Sequence, residues 1–340
     1  MTHTATLPPA RPPHAWHRKP VFGARAILIL LAALAFFIWS APRVELGVLT
    51  GNIQELAVSL AGGQETSQIE RGLASISSKM FPIILDERTS LSSGDIPDKD
   101  SLPFLARIEH TFTQETALNP ETLEIETRQI PQTVLVQPFG YVFYVCSKML
   151  QSIEMAIWAS LIAMIVSLLL MPLAAMNFTP HPLVRAGVRA FISFTRTIPE
   201  LVSALFLVLL FGFGPVAGIL ALAIHSIGFL AKFYAEDVET ADVRPQEALA
   251  ALGAGPLTVL RLAVIPNVIP SFVALTLYVV DRNIRMATVI GLVGAGGIGQ
   301  ELKGRFDMLQ YGHVGTILLV IFITVLILDV ISGNLRRKTI

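Results

Sequence analysis

The sequence predicts an all-α polytopic membrane protein with six spanning helices and one large external insert. Three observations predict it. Hydrophobic residues fill 53% of the 340 positions and charged residues only 15%, where a water-soluble domain averages about 25% charged. Several stretches stay free of charge for about 20 residues, the length a helix needs to cross the hydrocarbon layer. Lysine and arginine, by contrast, collect without acids in three segments that six crossings would place on one side.

Taken in order, residues 1–25 form a tail carrying Arg11, Arg18, Lys19 and Arg25 and no acid. Neither a cleavable secretory signal nor a lipidation motif is read there. Residues 26–41 supply a short first span, with Arg25 reaching to the interface at one end. Met155–Met176 is an uncharged run of full length, and so is Leu262–Val280. Leu201–Ala231 is too long for one crossing, and Gly212-Phe213-Gly214-Pro215 inside it predicts two short spans joined by a tight turn. Val314–Leu328 closes the set.

The loop 177–198 adds Arg185, Arg189 and Arg196 without an acid, and the C-terminus adds Arg336, Arg337 and Lys338. Both termini are therefore expected in the cytoplasm. The segment 282–313, then external, breaks the pattern with Arg282, Arg285, Lys303 and Arg305. Those arginines need another reason.

Residues 42–154 form the insert, with eight bases against fifteen acids, a net of −7. Long external segments escape the charge rule. Thr89–Ser101 is polar and turn-rich, and an interfacial helix is expected near 134–150. A small cap domain and a mostly loop-like insert both remain open. The lone Cys146 excludes an internal disulfide and a cysteine metal cluster.

The chemistry gathers in a loop at about 235–265, between two late spans. Pro245 suits the first turn of a helix, where its missing N–H costs nothing. Glu247 suits the positive end of that helix. Ala248, Ala250 and Ala251 are small helix formers, and Gly253 and Gly255 can end the helix in a left-handed turn. A short helix with a compact face, outside the membrane, suits docking into a groove of another protein. An ordinary solvated loop with one helical turn fits the same residues.

Glu247-Ala248, Gly253 and the later Ile265-Pro266 resemble the "EAA" loop of ABC-importer permeases. Residues 155–338 as a whole resemble the phosphonate/phosphite branch of that family. The stretches that carry the likeness are Arg196–Leu201, Ala223–Gly228 and Asn283–Gly299. The resemblance implies the type I importer permease fold, with five of the spans in 155–338. It also implies that Glu247, Ala248, Ala251, Gly253, Gly255 and Pro266 couple the chain to an ATPase subunit.

It further implies a bacterial inner-membrane location, a second permease copy, two ATPase subunits and a periplasmic or lipid-anchored substrate-binding protein. The cargo it implies is phosphonate, phosphite or hypophosphite. Another small solute such as methionine keeps the class and changes the cargo. A secondary transporter working without ATP leaves the loop unexplained.

Candidate pathway residues are Tyr278, Arg282, Asn283, Arg285, His225 and Ser226. Charges near the bilayer are costly and mark pathways, and the guanidinium fork matches phosphorus oxyanions. Interfacial snorkelling and simple hydrogen bonds between helices are the plain alternatives. Gly294, Gly296, Gly297 and Gly299 lie in the external glycine-rich segment 286–300. They resemble a dinucleotide fingerprint in outline but lack its strand, helix and acid, so close backbone packing is the expectation. No Gly-x-x-x-x-Gly-Lys loop is present, so ATP and Mg are expected on partner subunits and no cofactor or metal on this chain. No catalytic constellation is read, and membrane composition speaks against nucleic acid.

Overall fold

The computed structural model describes residues 24–61, 67–91, 102, 105–118 and 125–339. The expected tail up to residue 23 and most of the turn-rich stretch 89–101 lie outside the described residues, as do the side chains of Arg336, Arg337 and Lys338. The chain divides into two compact units, Met1–Ser77 and Ser78–Ile340.

The first unit holds α1 (Ala24–Ser40), α2 (Leu46–Leu60) and most of α3 (Gln68–Met80). From Ile27 to Trp39 α1 carries only apolar residues, as suits a helix in lipid. The α2–α3 turn is tied by Ser59 Oγ donating to Glu70 at 2.7 Å and Gln68 N–H donating to Glu55 at 3.5 Å.

The second unit opens with an antiparallel sheet of β1 (Glu87–Leu91), β3 (Ile125–Gln137) and β2 (Arg107–Leu118), with β3 central. Val136 pairs with both Arg88 and Arg107 and is buried. The stretch 42–154 thus contains helices in the first unit and a sheet in the second. The helix expected near 134–150 is corrected: Val134–Gln137 is strand, and α4 (Gly140–Ala174) begins after the Pro138-Phe139 turn and runs unbroken. Alternating and β-branched residues favour the ladder up to that proline, and the apolar run beyond it is continuous. Ahead of β1, a strap crosses the start of α12 (Tyr311–Thr339), where Ile84 N–H donates to Gly312 O and the Thr316 hydroxyl donates to Ile84 O.

Among the described residues, α4, α7 (Pro215–Thr240), the continuous stretch Pro256–Val293 and α12 are long and apolar enough to span a membrane. The stretch Pro256–Val293 contains α9 (Pro256–Val259), a π turn over Leu260–Val264 and α10 (Ile265–Ile290). Ile27–Ser40 is a shorter apolar helix.

The third predicted span differs. Leu201–Phe211 lies in α6 (Glu200–Phe211), whose 12 residues reach only about 18 Å. It is joined to α5 (Pro182–Thr197) at a 90° bend. The supposed loop 177–198 is therefore mostly helix. Pro182 sits in its first turn and His181 caps it by accepting from Leu183 N–H at 3.2 Å. Pro199 forbids straight continuation by holding Ile198 extended, at φ −82° and ψ 120°.

Two apolar clusters fill the helix bundle. One joins Val145, Met155, Ala221, Ile284, Ile298 and Ile317 near the insert end. The other joins Met171, Ile192, Leu230, Tyr234, Val264 and Phe272 toward the opposite end. Small residues set the α4–α7 spacing. A Cβ on Gly218 would lie 2.3 Å from Met155 and 2.7 Å from Ala295 O.

Candidate functional site

Between α7 and α9 stands α8 (Val243–Ala251). Asp242 caps it by accepting from Arg244 N–H at 3.1 Å. It ends in a Schellman pattern: Gly253 N–H donates to Ala250 O at 2.9 Å and Ala254 N–H to Leu249 O at 3.1 Å, with Gly253 at φ +83°. Gly255 takes no left-handed turn (φ −70°) and instead opens α9, ahead of Pro256. That part of the expectation is corrected.

No residue of α8 is buried, so Glu247, Ala248 and Ala251 are all presented outward. Leu252 and Leu257 beside it are 84% and 77% exposed. Pro266 lies farther on, exposed in the first turn of α10.

The end of α7 that feeds α8 is pinned. Glu239 accepts from Met176 N–H at 2.6 Å and Arg189 at 2.8 Å, and Arg185 lies at 3.4 Å. Two of the arginines counted as topological charge thus hold α4, α5 and α7 together.

Deep in the bundle, neighbouring residues of α7 and α10 divide into two polar clusters. Asn283 Nδ2 donates to Ser160 Oγ and Ser226 Oγ, each at 2.9 Å, and Ser226 Oγ lies 3.1 Å from Asn283 Oδ1. The Ser160 hydroxyl in turn donates to Ala156 O at 2.7 Å. All three side chains are buried. Ser226 and Asn283 therefore leave the list of pathway residues: their hydrogen-bonding groups face one another between α4, α7 and α10.

The second cluster is ionic. Arg282 pairs with Glu200 at the start of α6, and Glu200 Oε1 lies 3.4 Å from His225 Nε2. His225 Nδ1 faces Ile198 O at 3.5 Å, a carbonyl freed by the bend. Gly228 lets that bend seat on α7, since a Cβ there would fall 2.3 Å from Thr195 Oγ1 and 2.6 Å from Arg196 Cγ. The Arg282 guanidinium lies 5.6 Å from the centre of the Phe229 ring, which stacks on Tyr278 at 5.8 Å.

One turn on, Arg285 pairs with the buried Asp281 at 2.8 Å. These charges do not follow the span, as the apolar run suggested. They sit inside α10, Arg282 about 12 Å before its end at Ile290. Tyr278, Arg282, Arg285 and Val289 share one face of that helix, and all but Arg282 are well exposed. Lipid tails cannot solvate such a stripe.

The glycine segment is a packed joint. Its turn occupies Gly291–Gly297, while 286–290 still belongs to α10. Gly294, Gly296 and Gly297 all take positive φ, and Gly214 N–H donates to Gly294 O at 3.0 Å. At Gly299, in the first turn of α11 (Gly297–Asp307), a Cβ would lie 2.0 Å from Thr288 O. Ser152 accepts from Ile298 N–H at 2.9 Å and so fixes the turn to α4.

The family model for binding-protein-dependent transport system inner membrane components matches residues 171–339. The phosphite transport system permease HtxE of Stutzerimonas stutzeri is 47% identical over 261 residues, which are 77% of this chain and 100% of that one. The chain belongs to this family of transport permeases.

PtxC of the same organism, a phosphite transport system permease, is 43% identical over 56% of this chain and 69% of its own length. The inward-facing methionine ABC transporter MetNI shares the fold, with a TM-score of 0.50 at 19% identity over 58% of this chain and 96% of its own. The permease is therefore a multi-pass inner-membrane translocation subunit of the phosphonate/phosphite branch, in a system that works with ATPase and substrate-binding subunits. Reading the sequence missed Glu200, Ser160 and Glu239. A signal for the first was present: Glu200 is a lone acid between Pro199 and a long apolar run.

Proposed function

We propose that this permease carries phosphite, phosphonate or hypophosphite inward, driven by ATP hydrolysis on partner subunits. The observation that carries the coupling is α8, a capped helix with no buried residue and two exposed leucines beside it. Each of two ATPase subunits, holding ATP and Mg, receives one such helix through Glu247, Ala248, Ala251 and Gly253, with Gly255 and Pro266 shaping its approach. A second copy of the chain completes the pathway by two-fold symmetry. The stripe of Tyr278, Arg282 and Arg285, with His225 behind it, lines the route.

A periplasmic or lipid-anchored binding protein delivers the ligand at the insert end, and both termini lie in the cytoplasm. Closure of the ATPase pair draws the α8 helices together and opens the route outward, and product release resets it. The cargo follows the names of the relatives and the basic stripe, where guanidinium groups suit oxyanions. The test is ATPase activity of the complex in lipid, titrated with phosphite, phosphonate, phosphate and methionine. Stimulation by phosphite or phosphonate, lost in Glu247→Ala, is expected. Stimulation by methionine alone would remove the cargo, and failure of the ATPase to associate would remove the coupling.

A further inference from the structure

We infer that Glu200 is an internal stand-in for the transported anion: it neutralises Arg282 until the ligand's oxyanion displaces it, and it expels the ligand when it returns. The inference rests on the pathway proposed above. Arg282 cannot sit uncompensated in a spanning helix, because a buried guanidinium without a partner has lost its hydration and gained nothing in return. Its partner among the described residues is Glu200, and the two side chains are 18% and 15% exposed. They are enclosed, yet reachable from the stripe that carries Tyr278 and Arg285.

Glu200 has support that does not depend on Arg282. It opens α6, where the free N–H groups and the helix dipole favour a negative charge. His225 also lies within 3.4 Å. Among the described residues Arg282 has, besides Glu200, the face of the Phe229 ring at 5.6 Å, a neutral support that does not remove its need for an anion. The two sides therefore differ. The carboxylate can step back, but only when another anion takes its place.

A phosphorus oxyanion offers the same paired oxygens to the guanidinium, so the exchange swaps one charge-assisted pair for another and is close to neutral. A near-neutral exchange keeps the ligand weakly held, as passage requires. Its neighbour Arg285, three residues along the same face, already has Asp281 and adds attraction without a second strong trap. Because Glu200 directly follows the 90° bend, its withdrawal and return also move with the junction of α5 and α6.

The test compares the assembled complex of permease, ATPase and binding protein with its variants. Uptake of phosphite into proteoliposomes by the wild type comes first. If none occurs, the cargo reading fails and takes this inference with it. Given uptake, Glu200→Gln should retain phosphite on the receptor-free permease–ATPase complex at least tenfold more tightly than wild type, while turnover falls at least tenfold. The swap Glu200→Arg with Arg282→Glu keeps the pair but should abolish uptake and show no gain in retention. Unchanged or weaker retention in Glu200→Gln, or uptake by the swapped pair near the wild-type rate, would overturn the inference. So would a failure of both variants to assemble, which would make the pair a structural clasp.

Discussion

His225 and Ser226 are neighbours on α7, and Arg282 and Asn283 are neighbours on α10, yet each pair is split between two kinds of site. Ser226 and Asn283 join Ser160 in a neutral cluster in which every buried group has a partner. His225 and Arg282 join Glu200 in an ionic cluster that retains some exposure. A helix turns about 100° per residue, so one step along the chain moves a side chain from between helices to the edge of a stripe. The neutral cluster fixes three helices against one another. The ionic one holds charges whose partners can be exchanged. Polarity inside a membrane protein is therefore no single signal, and satisfaction and access distinguish scaffold from route.

The contrast can be broken most sharply at Arg282. Arg282→Gln should lower phosphite uptake by at least about a hundredfold, comparable to removing a charge that meets the ligand directly. Removing both charges in Glu200→Gln with Arg282→Gln should restore thermal stability to within about 1 kcal/mol of wild type, because neutral pairs often replace buried ion pairs without loss. Uptake should stay lost. Unfolding in detergent and proteoliposome uptake, measured on the same preparations, separate the two effects.

The exposed helix α8 gives the next largest effect. Gly253→Val forces a β-branched residue to φ +83° and should cost about 1–3 kcal/mol locally. Ligand-stimulated ATPase activity should fall while the neutral cluster remains intact, read as an unchanged unfolding midpoint of the bundle. Asn283→Leu sharpens the other side. It strands Ser226, leaves Ser160 its bond to Ala156 O, and should destabilise the bundle by about 1–2 kcal/mol, on the scale of hydrogen bonds between membrane helices. Uptake per folded complex should fall far less than in Arg282→Gln.

The smallest effect belongs to an ion pair in water. Arg88 hydrogen-bonds Asp86 at 2.8 Å and lowers the carboxyl below its usual range. A depressed carboxylate adds stability above its unfolded pKa, near 3.9, and that stability is lost as pH falls through the folded value. Asp86→Asn should flatten the acid limb of the sheet's unfolding profile and leave uptake unaltered.

Much of this architecture was legible in sequence because it is local. Uncharged runs marked α4, α7, α10 and α12. Pro245 and Gly253 marked α8, since each acts within one turn of its own position. The bend at Ile198-Pro199 was misjudged for a physical reason. Arg185, Arg189 and Arg196 suggested a solvated loop, but Ile192 and Thr195 turn inward on the same helix and Glu239 gathers two of the arginines. Glu239 and Arg185 are separated by 54 positions, and Glu200 and Arg282 by 82. Periodicity carries no information over such distances. The sheet escaped notice because Val134–Gln137 reads as continuous with the apolar start of α4.

That join has a mechanical side. The 35 residues of α4 measure about 52 Å, against a hydrocarbon layer of about 30 Å. Two residues, Pro138 and Phe139, connect it to the central strand, and Gly140 is packed so closely that a Cβ would meet Gln137 and Glu87 within 2.9 Å. Helix and sheet form a stiff crank. Tilting the crank by about 10° would sweep its far end through about 9 Å, given the rise of 1.5 Å per residue. A protein resting on the sheet would thus feel, amplified, each rocking of the bundle beneath it.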